Sequence, residues 1–457
     1  MTRFSFRLLG HRPLGVALML AGCTLAPRPA LALQPVTEFL AHARTWNPDN
    51  RAAHATADQR DAEVGISTGA LLPDVTAAAG YTRNQYEVTG ASAFGGLLPP
   101  GAGGAAAAAE AKSLASVVIQ PQNQWDGNVM LTVPLINIVN WDRRFAAKAS
   151  FEGARADEEN TVLTVEKSVV RDYYTLLGDE AVLLSSMKNL DVAQHNLKLA
   201  HDRKESGTGS ELDVQRALAD RAKAEQSVTQ AQLGVTNTRR DLYSLTGVRP
   251  EPASVFPDDD LREEAPLESW MSGADKVPAI KSAEASRVAA EDASHAARTG
   301  WLPTLSASAE EKFTNATAFA GGHSSYYLLQ LTANWRLDAT LGPQIRAQNA
   351  AAAAARANED RTKQMAEDAV FRDWQQIRAD IESSRSSRAQ VAATQLAASL
   401  AEDRYESGVA TQLDVLQARQ DAFSADVARI QADADLAYAR VALRLDAGKV
   451  DAAQEMR

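Results

Sequence analysis

Residues Arg404 to Gly448 read RYESGVATQLDVLQARQDAFSADVARIQADADLAYARVALRLDAG, and the fold is decided here. The stretch joins a glycine turn, a helix start and a long heptad pattern. From Leu413, the positions Leu413, Leu416, Gln420, Phe423, Val427, Ile430, Ala434, Ala437 and Val441 step by alternating threes and fours, and only Gln420 is polar. That is a coiled-coil seam. A second seam, Val415, Ala418, Ala422, Ala425, Arg429, Ala432, Leu436 and Ala439, follows a different register of the same helix. A bundle helix needs one broad apolar stripe. Two narrow seams predict a neighbour on each side, as in a sheet or tube of helices.

The whole chain has 457 residues, 45% of them apolar and 23% charged, which is ordinary globular composition and enough for two or three domains or one elongated one. Aromatic residues make up only 6%, which suits close helix contacts better than a thick core. The net charge of −11 excludes nucleic acid as the expected partner.

The first 22 residues read as an export signal, with Arg3, Arg7 and Arg12 ahead of the short apolar run Leu14 to Ala21. Leu20-Ala21-Gly22-Cys23 resembles a bacterial lipobox, in which Cys23 becomes the lipid-modified first residue. As the single cysteine, Cys23 cannot form an intrachain disulfide, and acylation explains it better than folding does. The alternative is a plain secretory signal cut after Ala30-Leu31-Ala32. No other segment reaches the roughly 18 apolar residues of a membrane-spanning helix, so a membrane crossing requires strands.

Beyond the signal, Val36 to Leu71 is helical in composition and broken at Trp46-Asn47-Pro48. A strand is expected over about 74–88, then a glycine- and alanine-rich loop from Gly90 to Ala111, then a two-faced strand over about 125–135. A helix runs from about 141 to 204, a turn follows at 205–211, and another helix ends at Gly247 and Pro250. Residues 251–266 form an acidic, proline-rich connector, after which the pattern begins again. Strands recur at about 304–314 and 325–337, and a turn at 405–411. Arg372-Asp373-Trp374 repeats Arg171-Asp172-Tyr173, and Glu406-Ser407-Gly408 repeats Glu205-Ser206-Gly207, both at an offset of 201. The chain is therefore a duplication, with repeats at 23–250 and 267–457.

Lengths constrain the shape. The helix from 141 to 204 would be roughly 95 Å long, and those from 50 to 70 and 211 to 246 roughly 30 and 55 Å. A long helix beside two stacked shorter ones makes a consistent wall unit. Four strands per chain are too few to close a barrel, so they must be covered by helices or pooled with other copies.

These residues resemble the outer-membrane efflux protein family, the TolC-type channels of Gram-negative export systems. The resemblance rests on the duplicated helix–strand–strand–helix–helix order, on Pro48 and Leu72-Pro73 with their counterparts Pro278 and Leu302-Pro303, and on a tip motif. That motif stands as Gly207, Ser210 and Asp213 and again as Gly408, Thr411 and Asp414. It implies a mainly α fold with a transmembrane β-barrel: a homotrimer in which twelve strands form one outer-membrane barrel and twelve helical strings a periplasmic tunnel. It also implies an outer-membrane exit duct, passive and gated at its periplasmic tips, where a periplasmic adaptor docks and an inner-membrane pump supplies cargo.

Ser210-x-x-Asp213 and Thr411-x-x-Asp414 have the form of capping boxes, which accounts for the residue types without function. By the resemblance, Asp213 and Asp414 stand near the constriction as acidic rings. The chain departs from the family pattern where Gln417 replaces a second acid and where Ala410 stands in place of a basic residue that braces the closed tip.

No catalytic or metal-binding constellation is legible. The seven histidines are scattered, and no HExxH, CxxC, GxSxG, P-loop or GxGxxG is present, so neither an enzyme nor a cofactor is expected. A competing function is a periplasmic coiled-coil adaptor or spacer, also exported and alanine-rich. The amphipathic strand pairs speak against it.

Overall fold

The computed structural model describes residues 33–90, 118–252, 259–274, 276–320, 322–336 and 338–449. The export signal, Cys23, most of the Gly90–Ala111 stretch and Leu337 lie outside them. The first half runs α1 (Val36–Trp46), α2 (Pro48–Gly69), β1 (Asp74–Arg83), β2 (Val88–Thr89), β3 (Val118–Gln120), β4 (Asn123–Ile136), α3 (Ile138–Glu205) and α4 (Glu211–Thr246). The second runs α5 (Leu267–Ala274), α6 (Pro278–Thr299), β5 (Thr304–Thr314), a 3-10 turn (Thr317–Ala320), β6 (Ser325–Asn334), α7 (Leu341–Glu406) and α8 (Gln412–Asp446).

The length argument holds in both halves. Helix α3 has 68 residues and runs beside the 22 of α2 and the 36 of α4; α7 has 66 and runs beside the 22 of α6 and the 35 of α8. Proline starts each upper short helix. Pro48 opens α2, where the missing N–H costs nothing, and the Asn47 side chain caps it by accepting from Asp49 N at 2.8 Å. Pro278 opens α6 after Val277, which offers no side-chain cap.

Helix α8 does have two partners. On the seam of Leu436 and Ala439 it meets α7, where those residues and Leu443 enclose Val370, Ile377 and Ile381. On the other seam Ala434 faces Gly178 of α3, so closely that a Cβ at Gly178 would lie 3.3 Å from it. Near one end of the wall α6 occupies the same place between α3 and α7, while α2 and α4 flank α3 on its other side. The result is an arc of helices with α2 and α4 on one edge and α7 on the other.

Packing is thickest at the waist, where short helices cross the joints between stacked segments. Phe39 and Ala43 of α1 are fully buried with Val169, Leu176 and Leu242. On the other side Trp270 of α5 enters the cluster of Ile377 and Leu443. Gly247, in the left-handed region at φ +71°, ends α4 against Trp46; a Cβ there would come within 2.7 Å of the indole, so only glycine fits. Helix α5 lies next to the acidic connector and was not anticipated. Its amphipathic pattern is too short, at 8 residues, to separate from loop text.

The strands form one antiparallel sheet in the order β1-β4-β5-β6. Val75, Leu131, Ala309 and Leu329 stand opposite one another in a row across it, and Thr132, Ser308 and Gln330 form a row on the other face. The apolar face is exposed: Val75 keeps 65% of its surface, Leu131 38%, Leu329 71%. Two strand boundaries differ from expectation. The first strand stops at Arg83 rather than near 88, because Asn84 turns the chain by donating from its backbone to Gln122 O and from its side chain to Pro121 O. Val88–Thr89 then pairs with Val118–Gln120 as a separate two-stranded sheet. The last strand stops at Asn334 rather than near 337; just beyond it the Trp335 indole donates to Trp301 O, tying this end of β6 to the end of α6.

Candidate functional site: the paired helical tips

Each long helix ends in a turn that restarts a shorter one. At the first tip α3 closes with Gly207 at φ +76°, while Thr208 N and Gly209 N both donate to Arg203 O at 2.9 Å. At the second, α7 closes with Gly408 at φ +78°, while Val409 N and Ala410 N donate to Arg404 O at 2.8 and 3.1 Å. These are left-handed C-caps that satisfy the last carbonyls of each helix.

The restarts are capping boxes in both copies. Ser210 Oγ accepts from Asp213 N at 3.2 Å, and Asp213 Oδ2 accepts from Ser210 N at 3.2 Å. Thr411 Oγ1 accepts from Asp414 N at 3.3 Å, and Asp414 Oδ2 accepts from Thr411 N at 2.8 Å. The Thr411 hydroxyl, followed by its backbone N–H, holds the exposed Asp414 carboxyl below the usual aspartate range. Asp213 and Asp414 are thus turned back onto their own helix starts, Asp414 exposed and Asp213 half-buried. Gln417 is exposed one turn beyond Asp414.

The structure supplies a contact that the sequence reading missed. Arg203, in the last turn of α3, lies over the ring of Tyr405 in the last turn of α7, with its guanidinium carbon 4.1 Å from the ring centroid. It also faces Tyr405 O at 3.5 Å. Ala410 carries no brace, but Arg203 reaches across from the other tip. A signal was present: Arg203 and Arg404 occupy duplicated positions before the two glycine turns. What differs is the next residue, Lys204 in one copy and Tyr405 in the other. Lys204 pairs with Glu211 within its own turn, whereas Tyr405 offers the aromatic face. Behind the second tip Arg419 of α8 donates to Glu402 of α7 at 2.5 Å, tying that hairpin together.

A second charged layer lies at the waist. Arg440 of α8 donates to Asp259 Oδ1 at 3.0 Å, to Arg262 O at 2.7 Å and to Glu264, strapping the acidic connector to the wall. Each copy of the duplicated Arg-Asp-aromatic motif carries a raised carboxyl with its own partners. Burial raises Asp172 to about 6, with the negative charge of Asp241 adding to it and Arg171 opposing. Burial, then a hydrogen bond with Asp446 and its charge, raise Asp373 to about 7, with Lys167 and Arg372 opposing. Lys167 of α3 is bound to the same Asp446.

Among the described residues no group of His, Cys, Asp and Glu is arranged to hold a metal ion, and no helix is long and apolar enough to cross a membrane. A duplicated arc of long helices carrying a small sheet with an exposed apolar face defines a duct-wall protein. Residues 40–248 and 274–449 match the family described as Outer membrane efflux protein, so the chain belongs to that family, and its role is that of an export channel rather than an enzyme. It is 24% identical over 442 residues to the outer membrane efflux protein BepC of Brucella suis, covering 96% of this chain and 90% of that protein. The fold is similar to that of the outer-membrane channel OprN, at a TM-score of 0.74 and 22% identity over 90% of this chain and 89% of that one. It is similar also to the Campylobacter jejuni CmeC outer membrane channel, at a TM-score of 0.77 and 18% identity over 91% of this chain and 86% of that one.

Proposed function

We propose that three copies of this chain close into one duct, with a twelve-stranded outer-membrane barrel above a periplasmic helical tunnel that opens at the tips described above. The observation that carries this reading is that the helical arc and the sheet are both left open. Within the chain β1 and β6 are edge strands. The edge helices keep large apolar side chains in solvent: Ile66 on α2 and Leu218 and Leu233 on α4, against Met365, Leu396 and Leu400 on α7. Copies set edge to edge bury both kinds of edge at once, and twelve strands suffice to close a barrel whose apolar rows face lipid.

In that assembly the Arg203–Tyr405 contact is the brace that keeps the tip shut, and Asp213 and Asp414 line the constriction as rings that favour cations. Gly207, Ser210, Gly408, Thr411 and Gln417 present the surface to which a periplasmic adaptor docks, and an inner-membrane pump beyond it supplies cargo and energy. Cys23, acylated after signal cleavage, anchors the mature chain in outer-membrane lipid. The mass of the mature N-terminal peptide tests that last point: an unmodified residue downstream of Cys23 would remove it.

The decisive experiment combines native mass spectrometry of the detergent-extracted protein with planar-bilayer recording. A trimer with discrete conductance steps, mostly closed at rest, is the expected result. A stable monomer, or a trimer that never conducts even after Asp213 and Asp414 are neutralised, would overturn the reading. The periplasmic adaptor alternative requires a soluble chain without an apolar strand face, and the exposed row of Val75, Leu131 and Leu329 argues against it.

A further inference from the structure

The two free edges of the sheet match each other. Strands β1 and β6 are each 10 residues long, and β1 runs away from the helices while β6 runs back toward them, so they suit one another as an antiparallel pair between two copies of the chain. Their register follows from the sheet itself. In one row across it, Val75 lies one residue from the helix-side end of β1, whereas Leu329 lies five from that of β6, so a row climbs four residues in crossing the chain. Laid flush, Ser325 meets the partner's Arg83 and Asn334 the partner's Asp74, and all 10 residues pair. Three chains then accumulate a shear of about 12 over twelve strands, which at about 3.4 Å per residue and 4.8 Å between strands tilts them by roughly 35°, within the usual range of about 35–45°. Because side chains alternate, only even displacements keep the apolar face continuous. A climb smaller by two residues flattens the tilt to roughly 20°, one larger by two raises it to roughly 47°, and either leaves two residues of each strand unpaired.

The flush register also fits side chain to side chain. On the apolar face Leu329 and Leu331 stand opposite the partner's Ala79 and the partner's Ala77, large against small, and on the polar face Thr332 stands opposite the partner's Thr76. At the end away from the helices Tyr327 meets the partner's Tyr81. Both rings are uncovered in the single chain, 74% and 67% exposed, and Tyr81 is already oriented by its hydroxyl, which donates to Asn123 Oδ1 at 2.9 Å. Within each chain Trp125 stands opposite Tyr81, so three aromatic side chains run across the seam as one stretch of girdle. Glu311, the one carboxylate on the apolar face of these four strands, stands opposite Tyr327 and so falls at the girdle, where a charge toward lipid costs far less than at the bilayer midplane. We infer that β6 pairs flush with the partner's β1, and that Tyr327 and the partner's Tyr81 form an aromatic clasp that locks this register. The inference rests on the three-copy duct proposed above and adds to it the residues that close the barrel.

The test is disulfide cross-linking of double-cysteine variants of the full chain in isolated outer membranes, with each single variant as its control. Residues directly opposed, with Cα atoms about 4.5–5.5 Å apart, can be bridged, and residues displaced by two, at about 7–8 Å, cannot. Within one chain β1 and β6 lie at opposite edges of the sheet, so a bridge can form only between copies. Leu329→Cys with Ala79→Cys, and Thr332→Cys with Thr76→Cys, should give covalent trimers; Leu329→Cys with Ala77→Cys, or with Tyr81→Cys, should not. Tyr327→Ala and Tyr81→Ala should each lower the temperature at which the trimer dissociates, and the double variant little further, whereas Tyr327→Phe should keep the original value. Cross-linking only in a displaced pair, no cross-linking in a chain that native mass spectrometry finds trimeric, or full additivity of the two alanine variants would each overturn the inference and leave the duct standing. A monomeric chain would overturn the duct, and the clasp with it.

Discussion

Arg203 lies over the Tyr405 ring at 4.1 Å, so one side chain from the first repeat joins the two helical tips of the chain. Both residues are half-buried, where such a cation–aromatic pair contributes about 0.5–2 kcal/mol. If the tips are the gate proposed above, a contact of that size leaves it poised to open.

Arg203→Ala should therefore leave the fold intact and raise the resting conductance of the assembled channel in planar bilayers. Tyr405→Leu should do the same, and the double variant should add little to either single one, since both remove the same contact. Full additivity would show that the two residues act separately.

The caps at the tips predict a local effect. Ser210→Ala and Thr411→Ala should each destabilise their helix start by about 1 kcal/mol, and Gly408→Ala by about 1–2 kcal/mol because φ is held in the left-handed region. Hydrogen exchange should speed up within a turn or two of the tip, with the waist unchanged. The Asp414 carboxyl sits below its unfolded value, so its contribution is complete above the ordinary aspartate range and disappears as pH falls through the lowered value. Exchange at the second tip should accelerate below about pH 4 in the intact protein.

At the waist the sign is opposite. Asp373 is raised to about 7 in the folded chain, so between the unfolded aspartate value and neutrality the folded state holds the extra proton. Stability should fall as pH rises through that window and level off above it. In Asp373→Asn the melting temperature should change less steeply between pH 5 and 7, when set against the intact protein. Equal slopes in the two proteins would refute the raised titration of Asp373.

Arg440→Met tests the connector strap. It leaves Asp259 and Glu264 facing each other without a cation, and loss of one partner of a largely buried pair costs about 3–5 kcal/mol. The expected readout is early proteolysis near residues 259–266, ahead of cleavage in the long helices, as the connector detaches. Asp259→Asn with Glu264→Gln in the same variant should recover much of the loss, because the unpaired charges are gone.

Much of the wall was legible from residue order because its signals are local or periodic. The heptads of α8, the proline starts of α2 and α6, the glycine stops at Gly207 and Gly408 and the two capping boxes each depend on residues within a turn or two of one another. The duplication supplied the rest by checking one half against the other. Helix α5 and the small β2–β3 sheet escaped, since a helix of 8 residues and strands of two and three carry too little pattern to rise above loop text.

The tip motif shows the same division. Gly408, Thr411 and Asp414 fix a turn and a helix start, and the sequence determined that by itself because each backbone group they satisfy is close in the chain. Which residues meet across the tips was decided only in three dimensions. Arg203 finds Tyr405 because α8 packs against both α3 and α7 and so brings the ends of those two long helices together. Contacts between residues some 200 positions apart follow from the length and packing of whole helices, and no local pattern records them.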